Sequence, residues 1–239
     1  MSIRRISILC LQETKWVGEK AKEVEPYGYK LWYTGKDKTK NGVGIIVAKD
    51  LRDDVVEVRR KGDRILLIKL VLGDDIFNVI SVYTPQIGLD AVSKQQFWDD
   101  LDAFVRTVTN GEKLFIGGDL NGHVGEGNKG FERVHGSFGF GNKNEARDTI
   151  LEFATAFDLI IANTFFQKRE SHLITYRSGT NVSQIDFFLT RRGDRMRCKN
   201  SKVIPGESVT TQHRILVLDC RFSGRQRIVR QTIEPRIKW

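Results

Sequence analysis

Two short stretches carry the residue types that hydrolyse phosphoesters. Gly117-Gly118-Asp119-Leu120-Asn121-Gly122-His123 sets a carboxylate and a carboxamide two residues apart, after the apolar run Lys113–Ile116. On an extended backbone those two side chains fall on the same side. Asp119 then serves as general base on a water, and Asn121 orients that water or donates to the charge that develops. Gly117 and Gly118 leave room where a phosphate would approach. Glu13, after Ile8-Leu9-Cys10-Leu11-Gln12, is a hard oxygen ligand for a cation such as Mg²⁺, which needs few ligands from protein.

Three further groups extend this chemistry. Asp186 lies within Gln184-Ile185-Asp186-Phe187-Phe188-Leu189, and a carboxylate among such neighbours needs a partner. His213, just before Ile215-Leu216-Val217-Leu218, suits that role; an Asp–His pair favours the imidazolium, which contacts a phosphoryl oxygen. Tyr83, in Ser81-Val82-Tyr83-Thr84-Pro85, places a hydroxyl for phosphate. Thr175, Tyr176 and Arg177 are candidates to line a nucleic-acid groove. Each residue also has a plain structural alternative. Asp119 and Asn121 fit an Asx turn, Glu13 a solvated strand end, Asp186 a core carboxylate bonded to backbone, and Tyr83 a strand terminus before proline. His123, His135 and His172 lie in loop-like sequence without such context. Zinc spacings, a P-loop, GxSxG and GxGxxG are absent, which removes support for nucleotide-cofactor and serine-nucleophile chemistry.

The elements that must hold these residues alternate between short strands and a few helices. Strands are expected at Ile6–Leu11, Lys30–Tyr33, Gly42–Val47, Leu114–Gly118, Leu159–Ala162, Ile174–Arg177, Gln184–Leu189, Val203–Ile204 and Ile215–Cys220. Arg64–Leu72 and Ile76–Tyr83 flank Gly73-Asp74-Asp75 as a hairpin. Residues 93–108 form a helix opened by a Ser93/Gln96 capping box, with Phe97, Leu101, Phe104, Val105 and Val108 on one face. A second helix runs Asn144–Phe157, with Ile150, Leu151, Ala154 and Phe157 inward. Many strands with few helical crossovers favour an α/β fold of two sheets packed face to face and flanked by helices.

The chain of 239 residues suffices for one large core, with a domain at residues 1–222 and a basic extension at 223–239. A net charge of +9 favours a polyanionic partner. The charge gathers at Lys30, Lys36, Lys38 and Lys40, at Arg191, Arg192, Arg195, Arg197 and Lys199, and in the tail. Taken together, these clusters favour nucleic acid over a merely solvated surface. No run approaches a membrane span or a secretory signal, which predicts a nuclear or cytoplasmic protein without membrane partners. Cys10, Cys198 and Cys220 are far apart in sequence and read as small hydrophobes.

In this order, Gln12-Glu13, Tyr83-Thr84-Pro85, Gly118-Asp119-Leu120-Asn121, Thr175-Tyr176, Gln184-Ile185-Asp186 and Gln212-His213 resemble the endonuclease/exonuclease/phosphatase superfamily with its DNase I-like fold. Leu11–Trp16, Gly117–Gly125, His135–Phe140 and Thr210–Arg214 are similar to endonucleases of RTE-type non-LTR retrotransposons and to the derived craniofacial development protein 2-like sequences. The resemblance implies a four-layer α/β/β/α sandwich of two mixed sheets. It also implies one site dependent on Mg²⁺ or Mn²⁺, acting on DNA in a monomer that carries no reverse transcriptase. By carry-over Glu13 binds the metal, Asp119 activates water, Asn121 supports the transition state, Asp186 orients His213 and Tyr83 contacts phosphate. Two departures stand out. The superfamily's early Asn-bearing strand has no counterpart before Glu13, which would leave a gap in a sheet. Gln212 also stands where an Asp is usual. A DNA endonuclease is therefore expected, with a non-catalytic binding remnant or a phosphatase on small phosphoesters as alternatives.

Overall fold

The computed structural model describes residues 1, 4–86, 88–208 and 212–222; the basic extension at 223–239 lies outside the described residues. The strands are β1 (Ile8–Leu11), β2 (Gly18–Val24), β3 (Tyr29–Gly35), β4 (Val43–Val47), β5 (Val55–Lys61), β6 (Ile65–Leu72), β7 (Asp75–Tyr83), β8 (Lys113–Asp119), β9 (Leu159–Ile161), β10 (Tyr176–Ser178), β11 (Asn181–Ser183), β12 (Asp186–Arg191), β13 (Cys198–Ser208) and β14 (Arg214–Cys220). The helices are α1 (Ala91–Arg106) and α2 (Ala146–Ala156).

Two sheets carry the core. One has four strands in the order β1-β4-β3-β2, and the other six in the order β5-β6-β7-β8-β12-β9. Their inner faces meet through Trp32, Val43, Ile45 and Val47 on one side and Leu66, Ile68, Leu70 and Val79 on the other. The opposite face of the six-stranded sheet offers Ile65, Leu67, Ile80, Val82, Leu114 and Ile116 to both α-helices. The β6, β7 and β8 strands are thus apolar on both faces, as strands buried between two layers must be. The mixed character sits in the larger sheet alone, where β7 and β8 run parallel; the four-stranded sheet is antiparallel throughout. No helix among the described residues is long and apolar enough to cross a membrane.

Most expected elements are present, and the differences have physical causes. The α1 helix begins earlier than the Ser93/Gln96 reading, because Asp90 is the N-cap and its carboxylate accepts from Ser93 N. The β2 and β5 strands are additional; both are rich in charge, β2 largely exposed and β5 partly so, and they show little apolar patterning. The β13 strand is 11 residues long rather than a short Val203–Ile204 strand, because it pairs with the whole of β14. That pairing sets Cys198 opposite Cys220, so two cysteines read as distant are cross-strand neighbours. The hairpin turn is Gly73-Asp74, with Leu72 paired to Asp75 and Gly73 at φ +64°.

Among the described residues β1 pairs only with β4, and β14 only with β13 along its length. Between these strands lies a cavity of about 570 Å³, lined by Cys10, Phe77, Phe115, Leu216, Leu218 and Phe222 among others.

Candidate active site

Strand register assembles the centre of the site. At the end of β8, Asp119 is opposite Tyr83 on β7 and Asp186 on β12, so three functional groups stand in one row across adjacent strands. The backbone around Asp119 is fixed from both sides: Thr84 N donates to Asp119 O at 2.9 Å, and Leu120 N donates to Ile185 O at 2.9 Å. His213 enters one residue before β14. Its Nδ1 lies 3.1 Å from Asp186 Oδ2, and its Nε2 is 4.0 Å from Asp119 Oδ2, beyond hydrogen-bond reach. Glu13 arrives from the four-stranded sheet, where Tyr83 Oη donates to its Oε1. Gln12 Nε2 donates to Ser81 Oγ, which in turn donates to Leu11 O, pinning the end of β1 over β7.

Burial and charge set the protonation states. Burial disfavours the His213 cation, but the hydrogen bond and charge of Asp186, then the charges of Asp119 and Glu13, outweigh it and lift the imidazole to about 9. His213 is therefore an imidazolium near neutral pH. Asp119 is 2% exposed. Burial first, then the negative charge of Asp186, holds its carboxyl well above the usual range, opposed by His213 and by Asn121 N. Tyr83 stays a neutral donor, since burial and the Glu13 carboxylate both oppose its ionisation.

The donor set fits a hard divalent cation. Glu13, Asp119 and Asp186 bring oxygen ligands and surplus negative charge to one place. Among the described residues no three His, Cys, Asp or Glu side chains close into a ready cage. Carboxylate oxygens are the ligand type that a hard cation takes.

Several expectations change in detail. The backbone does not stay extended past Asp119. Asn121 adopts φ +47°, its N donates to Asp119 Oδ1 at 2.8 Å as in an Asx turn, and its Nδ2 donates to Thr84 O at 2.7 Å. The turn reading and the site reading hold together, because the turn is what places Asn121 beside the row. Gly117 and Gly118 do not make room for phosphate. A Cβ on Gly117 would lie 2.8 Å from the Phe188 ring, and one on Gly118 1.9 Å from Val82 O, so both serve strand packing. Thr175 is fully buried and does not line a groove. Its Oγ1 accepts from Ile185 N at 3.0 Å and Asp186 N at 3.1 Å, which makes it a positioning residue for Asp186. Tyr176 packs edge-on against His213 with centroids 4.9 Å apart, and Arg177 is exposed on the adjoining hairpin. His135 is buried and held neutral, at about 4, by burial and then by the Arg147 charge, and its Nδ1 accepts from Ser137 N.

Three supporting residues were not evident in the sequence. Gln86 Nε2 donates to Tyr83 Oη at 3.0 Å, and Arg64 donates to Tyr83 O at 3.1 Å while its guanidinium covers the Tyr83 ring. Asn163 spans β12, donating to Asp186 O and accepting from Phe188 N. Only the spacing of Gln86 after Tyr83-Thr84-Pro85 offered a local clue.

A rim extends from Glu13. Thr14 N donates to Gly42 O and Lys15 N to Asn41 O, which draws the segment after β1 against the β3–β4 loop that carries exposed Lys36, Lys38 and Lys40. Trp16 is 38% exposed, edge-on to Tyr33 with centroids 5.3 Å apart, and Lys22 Nζ lies 5.5 Å from its ring centre. The other basic cluster is largely engaged in structure: Arg192 pairs with Asp158, Arg197 with Asp194, and Arg191 donates to Val108 O.

A family model described as Endonuclease/Exonuclease/phosphatase family matches residues 2–207. Craniofacial development protein 2 of Bos taurus is 30% identical over 233 residues, covering 96% of this chain and 38% of the relative. The chain thus spans well under half of that relative. Among solved structures, a variant of the 3′ phosphatase NExo from Neisseria, bound to product DNA hairpin, aligns with a TM-score of 0.63 at 18% identity, covering 90% of this chain and 89% of that one. The endonuclease domain of TRAS1, a telomere-specific non-LTR retrotransposon, aligns with a TM-score of 0.60 at 13% identity, covering 92% and 89%.

Proposed function

Because the chain belongs to the endonuclease/exonuclease/phosphatase family, we propose that it is a divalent-metal-dependent phosphodiesterase that nicks DNA, of retrotransposon origin. The observation that carries the reading is the row Tyr83–Asp119–Asp186 across β7, β8 and β12, with His213 bonded to Asp186. These side chains form a general base, a neutral donor and a cation, as in-line attack of water on a phosphodiester needs.

Asp119 takes the proton of the attacking water. Asn121 gives one amide hydrogen to Thr84 O, can give the other to water or a phosphoryl oxygen, and can accept from water at its carbonyl. The His213 imidazolium donates to the phosphoryl oxygens as negative charge grows, and Asp186 holds its ring in place. Tyr83 supplies a neutral hydroxyl. Glu13 would hold the cation, whose charge polarises the phosphoryl group and favours the ionised carboxylates.

A DNA substrate is favoured by the rim: exposed Lys15, Lys36, Lys38 and Lys40 for phosphates, and Trp16 as a face on which a base stacks. The solved relative bound to product DNA hairpin and the retrotransposon endonuclease domain support it by analogy. One observation favours a second reading, a binding remnant without turnover: the cavity between β1 and β14 adjoins Glu13 and His213.

Nicking of supercoiled plasmid, with Mg²⁺ and with EDTA, beside Asp119→Ala, tests both readings. Metal-dependent nicking abolished in the variant is the expected result. Salt-dependent DNA binding by a folded protein with no nicking would replace it with the remnant. Turnover of a soluble phosphomonoester with plasmid left intact would move the substrate to small phosphoesters.

A further inference from the structure

At the end of β14 away from His213, Cys198 opens β13 and Cys220 closes β14, and the antiparallel register sets them directly opposite each other. Opposite residues of such a pair have Cα atoms about 4.5–5.5 Å apart, inside the span of about 4.4–6.8 Å that disulfides occupy. The two Sγ atoms are already 3.8 Å apart, with the Cys220 thiol donating to Cys198.

The two sulfurs have different surroundings. Cys198 lines a cavity of about 200 Å³ together with Phe165, Phe166, Arg195, Met196 and Lys199. Arg195 lies over the Phe165 ring, and Lys199 Nζ donates to Met196 O, so both cations are held at that cavity. The hydrogen bond from Cys220 lowers the Cys198 pKa, against burial and the Asp194 charge and with help from Arg195 and Lys199. The Cys220 pKa is raised, by that same hydrogen bond, by burial and by Asp219. Cys198 is 8% exposed, so a co-reactant reaches it only through this cavity, where the two fixed cations favour a thiolate.

We infer that Cys198 and Cys220 are a thiol–disulfide exchange pair, with Cys198 the attacking sulfur and Cys220 the resolving one, and that the co-reactant is a small anionic disulfide of the glutathione type. The Cys198 thiolate attacks one sulfur of that disulfide, the old S–S bond breaks and one small thiolate leaves. Cys220 then loses its proton and attacks Cys198 Sγ, the mixed disulfide breaks and the second thiolate leaves. Two electrons pass from the protein pair to the small disulfide, which is reduced to two thiols. The fixed cations at the cavity suit the carboxylates of such a molecule. The crosslink would close the chain between β13 and β14, the segment that holds His213.

The test is exchange of the full chain in glutathione/glutathione-disulfide buffers, read by non-reducing peptide mass spectrometry. The expected product is a Cys198–Cys220 linkage, with Cys10, whose thiol burial pushes up to about 12, left reduced. The linkage should form at least tenfold more favourably in the folded chain than in urea. The unfolding midpoint should rise by roughly 5–10 °C for a closed loop of this length. Cys220→Ser should trap one glutathione on Cys198, whereas Cys198→Ser should leave Cys220 slow to react. Equal linkage in folded and unfolded chain, reaction centred on Cys10, or no linkage in fully oxidising buffer would overturn the proposal. Equal trapping in both serine variants would overturn the assigned order of attack.

Discussion

The two sides of the site are built differently. Tyr83, Asp119 and Asp186 share one sheet, and backbone pairing spaces them: each is directly opposite its neighbour on strands buried between two layers. Glu13 and His213 come from outside that sheet, at the end of β1 and the start of β14, and both line the cavity between those strands. The first side inherits its geometry from register. The second depends on side-chain bonds reaching across, Tyr83 to Glu13 and Asp186 to His213. Glu13 also takes φ +50°, a conformation L residues adopt rarely outside turns. Backbone bonds outside that sheet, the Tyr176–His213 bridge and Thr14 N to Gly42 O, bring the two groups up to the row, and the side-chain bonds join them to it.

Breaking a bond across the two sides should have the largest effect. His213→Ala removes the cation and leaves Asp186 and Asp119 as neighbouring buried carboxylates; plasmid nicking should fall by about 10³-fold, while Asp186→Asn, which keeps the shape, should cost less. A residual rate within threefold of wild type would detach His213 from the chemistry. The same contact predicts a pH effect on stability. The folded-state pKa of about 9 is above the ordinary 6.5. The stabilisation is then complete below pH 6.5 and is lost as pH rises through 9, amounting to at most about 3 kcal/mol. Urea unfolding from pH 6 to 9.5 should show that decline in the wild type and a flatter profile in His213→Ala.

Glu13→Gln sharpens the comparison from the other side. It should lower nicking by roughly 10–100-fold and raise the metal concentration for half activity, with the fold intact by circular dichroism. An unchanged metal requirement would separate Glu13 from the cation. The smallest effect belongs to the rim. Trp16→Ala should weaken DNA binding by about tenfold, from loss of a stacking surface, while Trp16→Phe retains most of the affinity. Fluorescence anisotropy with a labelled oligonucleotide would read it, and equal affinity in all three proteins would remove Trp16 from the interface.

Legibility in the sequence followed the local strength of the signal. Strands such as Ile65–Leu72 and Asp75–Tyr83 announce themselves through continuous apolar runs and a Gly-Asp turn. Gly18–Val24 does not, because an edge strand with exposed Lys20 and Lys22 buries little and shows no periodicity. Asp119 and His213 stood out at the margins of apolar runs and Asp186 inside one, where a charge needs a reason. Gln86, Arg64 and Asn163 carried no such signal, since what matters is the group each touches from a distant part of the chain. Thr175 and the pair Gly117 and Gly118 have roles other than those expected, because their partners, Asp186 N, the Phe188 ring and Val82 O, are not local either.

The residue types, their order and the apolar runs that become the central strands are legible locally, because burial and period act over a few neighbouring residues. The Asp186–His213 pair was expected from the residue types, but only the folded chain puts Tyr83, Asp119 and Asp186 in one row and sets Cys198 opposite Cys220. Those facts are register and pairing between strands far apart in the chain, set by how whole sheets bury their faces against each other, and no local stretch encodes them.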